Sequence, residues 1–357
     1  MTAHQNCVGS PDDIWAPKLD GANLCDFNFR LREVQKVQYQ HDKLLKSLIF
    51  TEENSLKVNV SPLLVSVIIP VFNDSKPLKS CLAALESQTY PRSLYEVIVV
   101  DNGSDEDIEG VVSQFGQALI AYESCPGSYA ARNKGISLSK GNVIAFTDAD
   151  CIPALDWIEK GVASLQREPS CGLMAGKIEV FFKNQTQPTA VELYESIKAF
   201  PQKEYIEKYR FGATANLWTF RSVIDDVDVF DHTLKSGGDI EWGKRVFTAG
   251  YKQIYVDDVC VAHPARSSLD QLYKKVVRLV GGEYDRKRKK GYSCKKFIID
   301  LAKDVKPPLK SIYSIILDKR ISKIHQNITV ICLTVILQYI KAFERIRLQL
   351  GGTSQRS

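Results

Sequence analysis

Gly141-Asn142-Val143-Ile144-Ala145-Phe146-Thr147-Asp148-Ala149-Asp150 is the stretch that decides how this chain reads. Its middle is apolar without interruption, as a strand buried on both faces requires. Its end is two carboxylates one residue apart. Two carboxylates at a strand end can hold a divalent cation and, through it, a diphosphate, because hard cations take oxygen ligands and keep positions open for substrate phosphate. An Asp-x-Asp alone is common; the buried strand before this one gives it meaning.

The same pattern recurs toward the N-terminus. Leu64-Val65-Ser66-Val67-Ile68-Ile69-Pro70 is another nearly continuous apolar run, and Glu96-Val97-Ile98-Val99-Val100-Asp101 is a third, ending in a carboxylate. Lys76 to Ser87 carries Leu78, Leu82 and Leu85 at helical spacing. Asp105 to Phe115 reads as a helix capped by Ser104 or Asp105, Ala118 to Tyr122 as a short strand, and Ser128 to Leu138 as a further helix. Apolar strands alternating with helices predict an α/β fold, a mostly parallel central sheet flanked by helices. Such sheets take ligands outside the carboxyl ends of their strands. Pro70 to Asp74, Asp101 to Ser104 and Asp148 to Asp150 should therefore face one crevice. Asp101 could accept a hydrogen bond from a base N–H or a ribose hydroxyl, or serve as a turn residue; Asn73 and Asp74 carry the same two readings. Arg132, on the helix that Gly127 opens, could reach donor phosphates or the carboxylate loop, or face solvent.

The order Val67-Ile68-Ile69-Pro70-Val71-Phe72-Asn73, Val99-Val100-Asp101-Asn102-Gly103-Ser104, Ala131-Arg132-Asn133 with Gly135, and Phe146-Thr147-Asp148-Ala149-Asp150 resembles glycosyltransferase family 2 over residues 63 to 265. The resemblance implies a GT-A fold and a transfer that inverts the sugar carbon. It implies a nucleotide-diphosphate sugar as donor, UDP-linked ahead of GDP- or dTDP-linked, and Mn²⁺ or Mg²⁺ as cofactor. By the same resemblance Pro70, Val71, Asn73 and Asp101 line the base and ribose pocket, and Arg132 lies near base or phosphates. Asp148 touches ribose or metal, and Asp150 is the main metal ligand. Asn102 stands where the family often has a second aspartate, and Phe72 where tyrosine is common.

Farther on, Phe230-Asp231 and Gly237 to Arg245 resemble the family's segment in which an acidic pair opens the helix bearing the general base. Gly238 replaces the usual first acid. Asp239 is then the base, with Glu241 as runner-up; an Asp at this place also suits a helix cap. An inverting transfer needs such a base for the acceptor hydroxyl proton, and the metal stabilises charge on the departing diphosphate. Ala215-Asn216-Leu217 with Arg221 resembles the stretch beneath the acceptor site, where Asn216 would contact donor or acceptor. His263, after the strand-like Ile254 to Val261, is either a further metal ligand or a structural histidine.

These readings give a transferase domain over residues 61–265, with 61–150 as its donor-nucleotide half and 151–265 as its acceptor half. Residues 1–60 form an N-terminal helical extension, with Leu31, Val34 and Val37 on one face, able to pack on the domain or to support an oligomer. Residues 266–357 form a basic amphipathic helical tail that includes Leu269 to Val280, the cationic run Arg286 to Lys290 and the apolar stretch Ile328 to Ile340. The tail either covers the acceptor side or meets the inner surface of a membrane as a peripheral contact. Its apolar stretch, about 13 residues, is shorter than the roughly 20 that a spanning helix needs.

Nine cysteines with no Cys-x-x-Cys pair describe neither a disulfide framework nor a zinc site, and fit a reducing cytosol. No glycine-rich loop follows the first strand, which excludes dinucleotide oxidoreduction and ranks nucleotidyl transfer low. No nucleic-acid partner is expected. The acceptor is a glycan, a lipid-linked group or another hydroxyl. The alternative is a catalytically silent transferase-like domain kept for nucleotide-sugar binding or as a scaffold; the presence of Asp148, Asp150 and Asp239 argues against it.

Overall fold

The computed structural model describes residues 62–321 and 323–355. The expected N-terminal extension, and any oligomer built through it, lie outside the described residues.

Eight strands form one sheet in the order β3-β2-β1-β4-β7-β6-β8-β5. They are β1 (Val65–Val71), β2 (Tyr95–Asp101), β3 (Ala118–Tyr122), β4 (Val143–Thr147), β5 (Ile152–Pro153), β6 (Cys171–Phe181), β7 (Asn216–Phe220) and β8 (Lys252–Pro264). β1 pairs parallel with β2 and β4, and β2 with β3. β7 runs antiparallel between β4 and β6, while β6 and β8 are again parallel. The expected mostly parallel sheet is therefore present, with β7 reversed near its centre and the two-residue β5 reversed against β8 at its edge.

The period-2 geometry of a strand sorts its residues onto two faces. Val65, Val67 and Ile69 of β1 pack with Leu78, Leu82 and Leu85 of α1 (Ser75–Glu86) and with Trp157 and Leu165 of α4 (Trp157–Arg167). Ile68 faces the other way, toward Tyr129 and Ile136 of α3 (Ser128–Leu138) and Trp242 and Val246 of α8 (Gly238–Thr248). Helices thus cover both faces, which is why β1 and β4 have no polar alternation. The helix expected over Asp105 to Phe115 shrinks to α2 (Ile108–Val112). Asp107 is its cap, accepting from the Gly110 N–H at 2.7 Å, while the hydroxyl of the expected cap Ser104 accepts from the Asn73 N–H instead.

Between β6 and β7 lie α5 (Ala190–Lys198), the short α6 (Gln202–Glu204) and a π-turn over Tyr205–Tyr209. α7 (Arg221–Val227) follows β7. After β8 come α9 (Leu269–Lys289), α10 (Cys294–Val305), α11 (Leu309–Ile316) and α12 (Ile324–Gln349). Leu272, Val276 and Val280 of α9 pack on Leu333 and Leu337 of α12 and on Val191 of α5, which ties the C-terminal helices to the sheet domain.

Two expectations about this tail change. The cationic run is the last turn of α9, where positive charge suits the helix dipole. Arg286 donates to the Ser236 carbonyl, Lys287 pairs with Glu283 and Asp300, and Lys289 with Asp231, so these three cations are held by the protein itself. α12 is also longer than its apolar stretch. Its 26 residues include an 18-residue window long and apolar enough, by length and composition, to cross a membrane, with 28% of that window buried.

Candidate functional site

The carboxyl ends of β1, β2 and β4 and the end of β8 open onto one cleft of about 800 Å³. Its donor-side wall is knitted by short side chains. Asn73 takes the left-handed conformation at φ 53°. Its N–H donates to Ser104 Oγ at 2.9 Å, and its Oδ1 accepts from the Asp105 N–H at 2.8 Å. Asp101, buried, accepts from the Ser104 N–H at 3.0 Å. Asn73 therefore ties the end of β1 to the turn after β2, which Asp101 closes from within, while Pro70, Val71, Phe72 and Asp74 border the cleft. Asn102 is engaged at both ends of its amide. It donates to the Glu123 and Cys125 carbonyls, each at 2.8 Å, and accepts from the Gly127 N–H at 2.6 Å. An aspartate could not make the two donations.

Arg132 is not solvent-exposed; it is buried, and its Nη2 meets Asp148 Oδ1 at 2.5 Å. Gly135 makes this possible. A methyl group there would overlap Ile68, so only glycine lets α3 lie this close to β1 and bring Arg132 over the carboxylate loop. The Arg132 Nε is buried without a protein partner.

His263 and Asp150 face each other across the loop. His263 Nε2 lies 3.4 Å from Asp150 Oδ2, and Nδ1 lies 2.8 Å from the Pro264 carbonyl. In the neutral ring Nδ1 carries the proton for that bond, leaving the Nε2 lone pair directed at the carboxylate. Phe200, itself at φ 50°, packs its ring on the imidazole at 4.7 Å. Burial pushes the Asp150 carboxyl up; Asp148 adds to that, and His263 and Arg266 oppose it. Asp74 is likewise pushed up to about 6 by desolvation and by Asp150, Glu106 and Asp148.

A lone pair and a carboxylate at this separation call for a proton or a cation between them. An Asp150 oxygen and His263 Nε2 fit a divalent ion, and Asp148, its Oδ1 taken by Arg132, lies beside that group and not within the 4.8 Å that joins its ligand atoms. Cys151 lies in the same cluster. Burial pushes its thiol well up, and the sulfur leans 3.8 Å from the Ala215 carbonyl, so it is a neutral core residue.

Across the cleft, Asp239 sits in the first turn of α8. Its Oδ1 accepts from the Ile240 N–H at 2.9 Å and from the Tyr129 hydroxyl at 3.3 Å. Burial pushes its carboxyl up, against the pull of the Ile240 N–H, Arg132, Tyr129 and Arg286. Gly238 before it has a physical reason. A Cβ there would stand 2.8 Å from Tyr129 Cε2, so the tyrosine ring occupies the space of an acidic side chain.

Glu241 and Asn216 are placed elsewhere. Glu241 pairs with Arg245 at 2.9 Å, and Arg245 caps the carbonyls of Val227 to Val229; Glu241 does not border the cleft. Asn216 is fully buried, with every polar atom used. Its Oδ1 accepts from the indoles of Trp157 and Trp218 at 3.0 and 3.1 Å, and its Nδ2 donates to the Lys177 and Val259 carbonyls at 2.8 Å. It pins β7 to its neighbours and does not contact a ligand in the cleft.

The sequence reading missed the cations and aromatics that line the far wall. Glu195 of α5, 1% exposed, is clamped by Arg266 at 2.8 Å and Lys275 at 2.7 Å. Arg278 and Tyr129 also border the cleft. One signal was available: Leu272, Lys275, Val276 and Leu279 stand at i, i+3, i+4 and i+7, which puts Lys275 inside the buried stripe of its helix.

With this geometry, similarity to known proteins becomes informative. Residues 66–228 match the model of glycosyl transferase family 2. The chain is 41% identical over 224 residues to the glycosyltransferase AglE of Haloferax volcanii, covering 61% of this chain and 72% of that one. It is 22% identical over 226 residues, 60% of this chain and 70% of the other, to a Methanococcus voltae dolichyl N-acetyl-alpha-D-glucosaminyl phosphate 3-beta-D-2,3-diacetamido-2,3-dideoxy-beta-D-glucuronosyltransferase. Its fold is shared by the mannosyltransferase PcManGT of Pyrobaculum calidifontis, solved with GDP-Man and Mn²⁺, at a TM-score of 0.57 and 14% identity over 91% of this chain and 99% of that one. The chain belongs to glycosyl transferase family 2 and is a glycosyltransferase that draws its sugar from a nucleotide sugar.

Proposed function

We propose that the chain is an inverting transferase that moves a sugar from a UDP-linked donor to a hydroxyl on a glycan or lipid-linked acceptor, with Asp239 as general base. The observation that carries this is the pair of walls: Asp148 and Asp150 on one side of the cleft, and Asp239, held by Tyr129 and Ile240, on the other. Asp239 takes the acceptor proton as the acceptor oxygen bonds to the anomeric carbon and the bond from that carbon to the diphosphate oxygen breaks. Arg132, buried with an unpartnered Nε, orients Asp148 and faces the donor phosphates. Asp150 and His263 would hold a divalent cation beside Asp148, and the imidazole nitrogen favours Mn²⁺ over Mg²⁺. Bound there, the ion supplies positive charge to the departing diphosphate.

A lipid-linked acceptor is supported by the name of the Methanococcus voltae relative and by the exposed apolar side chains of α11 and α12, among them Leu309, Tyr313, Ile316, Ile324 and Ile328. We place the reaction at the cytoplasmic face of a membrane, as a peripheral contact. The described cysteines are free thiols, which suits that compartment.

Thermal unfolding of the purified chain with UDP-, GDP- and dTDP-sugars, with and without Mn²⁺, tests the reading, since ligands of the native state raise Tm by mass action. A Mn²⁺-dependent rise with UDP-sugars, followed by donor hydrolysis or transfer, is expected. Binding without turnover of any donor would favour a silent scaffold.

A further inference from the structure

The C-terminal helix pair lies beyond the segment matched to the family, yet it reaches into the cleft. α9 turns Leu272, Lys275, Val276 and Leu279 toward it, with Arg278 beside them. Lys275 is committed to Glu195. Arg278 is not committed. Among the described residues it has no hydrogen bond or ion pair, and its Nε is buried without a partner. The ionisable groups acting on it are Tyr129, Arg266, Asp239 and Asp148, so it stands near the proposed base. A guanidinium half withdrawn from water and unpaired is unfavourable until an anion fills the place. Lys341 of α12 borders the same cleft and also has no partner among the described residues.

The same two helices form a mainly apolar groove of about 350 Å³, lined by Tyr273 and Val277 of α9 and Ile336, Tyr339, Ile340 and Phe343 of α12, together with Glu344, whose charge is paired with Arg347 at 2.7 Å. Tyr273, Ile336, Tyr339 and Phe343 are exposed, Phe343 at 69%. On α9 the groove residue Val277 precedes the cleft residue Arg278, and on α12 the groove residue Ile340 precedes the cleft residue Lys341, so each helix carries a free cation next to the apolar track. Cations beside a strip of aromatic and aliphatic side chains match a molecule with an anionic head and an apolar chain.

We propose that this helix pair binds the acceptor as an anionic amphiphile, a lipid phosphate whose phosphate pairs with Arg278 and Lys341 and whose chain lies along Tyr273, Tyr339 and Phe343. The inference rests on the transferase reading of the cleft and names the class of its acceptor. The hydroxyl that attacks the anomeric carbon is then carried on the headgroup side of that phosphate, and its proton passes to Asp239 as the donor diphosphate leaves.

The test is calorimetric titration of the full chain with farnesyl phosphate below its micellar concentration, with farnesol, and with inorganic phosphate. Farnesyl phosphate is expected to bind about tenfold or more tightly than either fragment. Arg278→Gln should weaken it about tenfold, with Arg278→Lys recovering part of the loss. The pair Tyr339→Ser and Phe343→Ser, both at exposed rings that the fold does not need, should weaken it about as much. Inorganic phosphate binding as tightly as the lipid phosphate would make the acceptor a small phosphorylated compound and overturn the proposal. Affinity unchanged in both variants overturns it as well. Wild-type binding of UDP, GDP and dTDP with Mn²⁺ is the control: lipid phosphate failing to bind while one nucleotide binds sinks the acceptor site alone, and all three nucleotides failing to bind sinks the donor-site reading beneath it.

Discussion

His263 presents Nε2 to Asp150 Oδ2 at 3.4 Å while the other ring nitrogen is anchored on the Pro264 carbonyl at 2.8 Å. The anchor fixes which nitrogen is free, and Phe200 fixes the ring plane. Such an arrangement is the usual support of a metal-ligating histidine.

Removing either partner should therefore weaken Mn²⁺ on the order of 10–100-fold. Asp150→Ala should abolish the Mn²⁺-dependent rise in Tm and lower turnover by about 100-fold or more, with the fold intact by circular dichroism. His263→Gln should weaken the ion without abolishing turnover. A full Mn²⁺ response in Asp150→Ala would remove Asp150 from the ligand set.

Asp239→Asn should lower kcat by about 10²–10⁴ while KM for the donor barely moves. Burial raises the Asp239 pKa above its ordinary value of 3.8, and the base works only when ionised. Activity should thus fall as pH drops through that raised value, placing the acid limb above the ordinary carboxylate range. Tyr129→Phe removes a hydrogen bond to the ionised form and should move the limb to still higher pH. A limb that stays put in Tyr129→Phe would separate Asp239 from the rate.

Glu195 is a structural prediction. Despite burial, which raises it, Lys275 and Arg266 hold its carboxyl below its ordinary 4.5. Glu195→Gln leaves both cations without a counter-charge and should cost about 2–4 kcal/mol in urea denaturation. A depressed carboxylate contributes its full stability above the unfolded value and loses it as pH falls through the folded one. The gap between wild type and variant should therefore close on acidification below about pH 4.

Asp74 has the opposite sign. Its folded pKa of about 6 exceeds the ordinary 3.8, so the native state holds a proton that the unfolded chain has released. Ionisation above pH 6 then destabilises the cation-free protein, and below pH 4 the effect vanishes. Asp74→Asn should raise Tm by about 1–2 °C at neutral pH, a modest figure because the side chain is open to solvent, and Mn²⁺ should erase the difference.

The sheet and the donor-side carboxylates were legible because they obey local rules. Uninterrupted apolar runs such as Val143 to Phe146 mark strands buried on both faces, and polar residues at their ends mark the crevice. Asn216 and Glu241 show where that logic stops. Both are polar residues in motif-like positions, and only the packed structure reveals that Asn216 serves two indoles and two carbonyls, and that Glu241 serves Arg245. Arg278 shows the converse. The groups acting on it come from α3, α8 and the loops after β4 and β8, all outside its own helix, so no spacing within α9 announces them.

The reversed strand β7 has a consequence for how the chain is made. β4 is buried along its whole length, with β1 on one edge and β7 on the other. During synthesis the parallel unit β1 to β4 can assemble first, yet the outer edge of Val143–Thr147 stays open until Phe220 has left the ribosome. Over that interval a flat, apolar strand edge is available to any neighbouring chain, the condition under which intermediates aggregate. Yield of this protein should consequently depend on translation speed and chaperone supply through the β4-to-β7 interval more than on the stability of the finished fold.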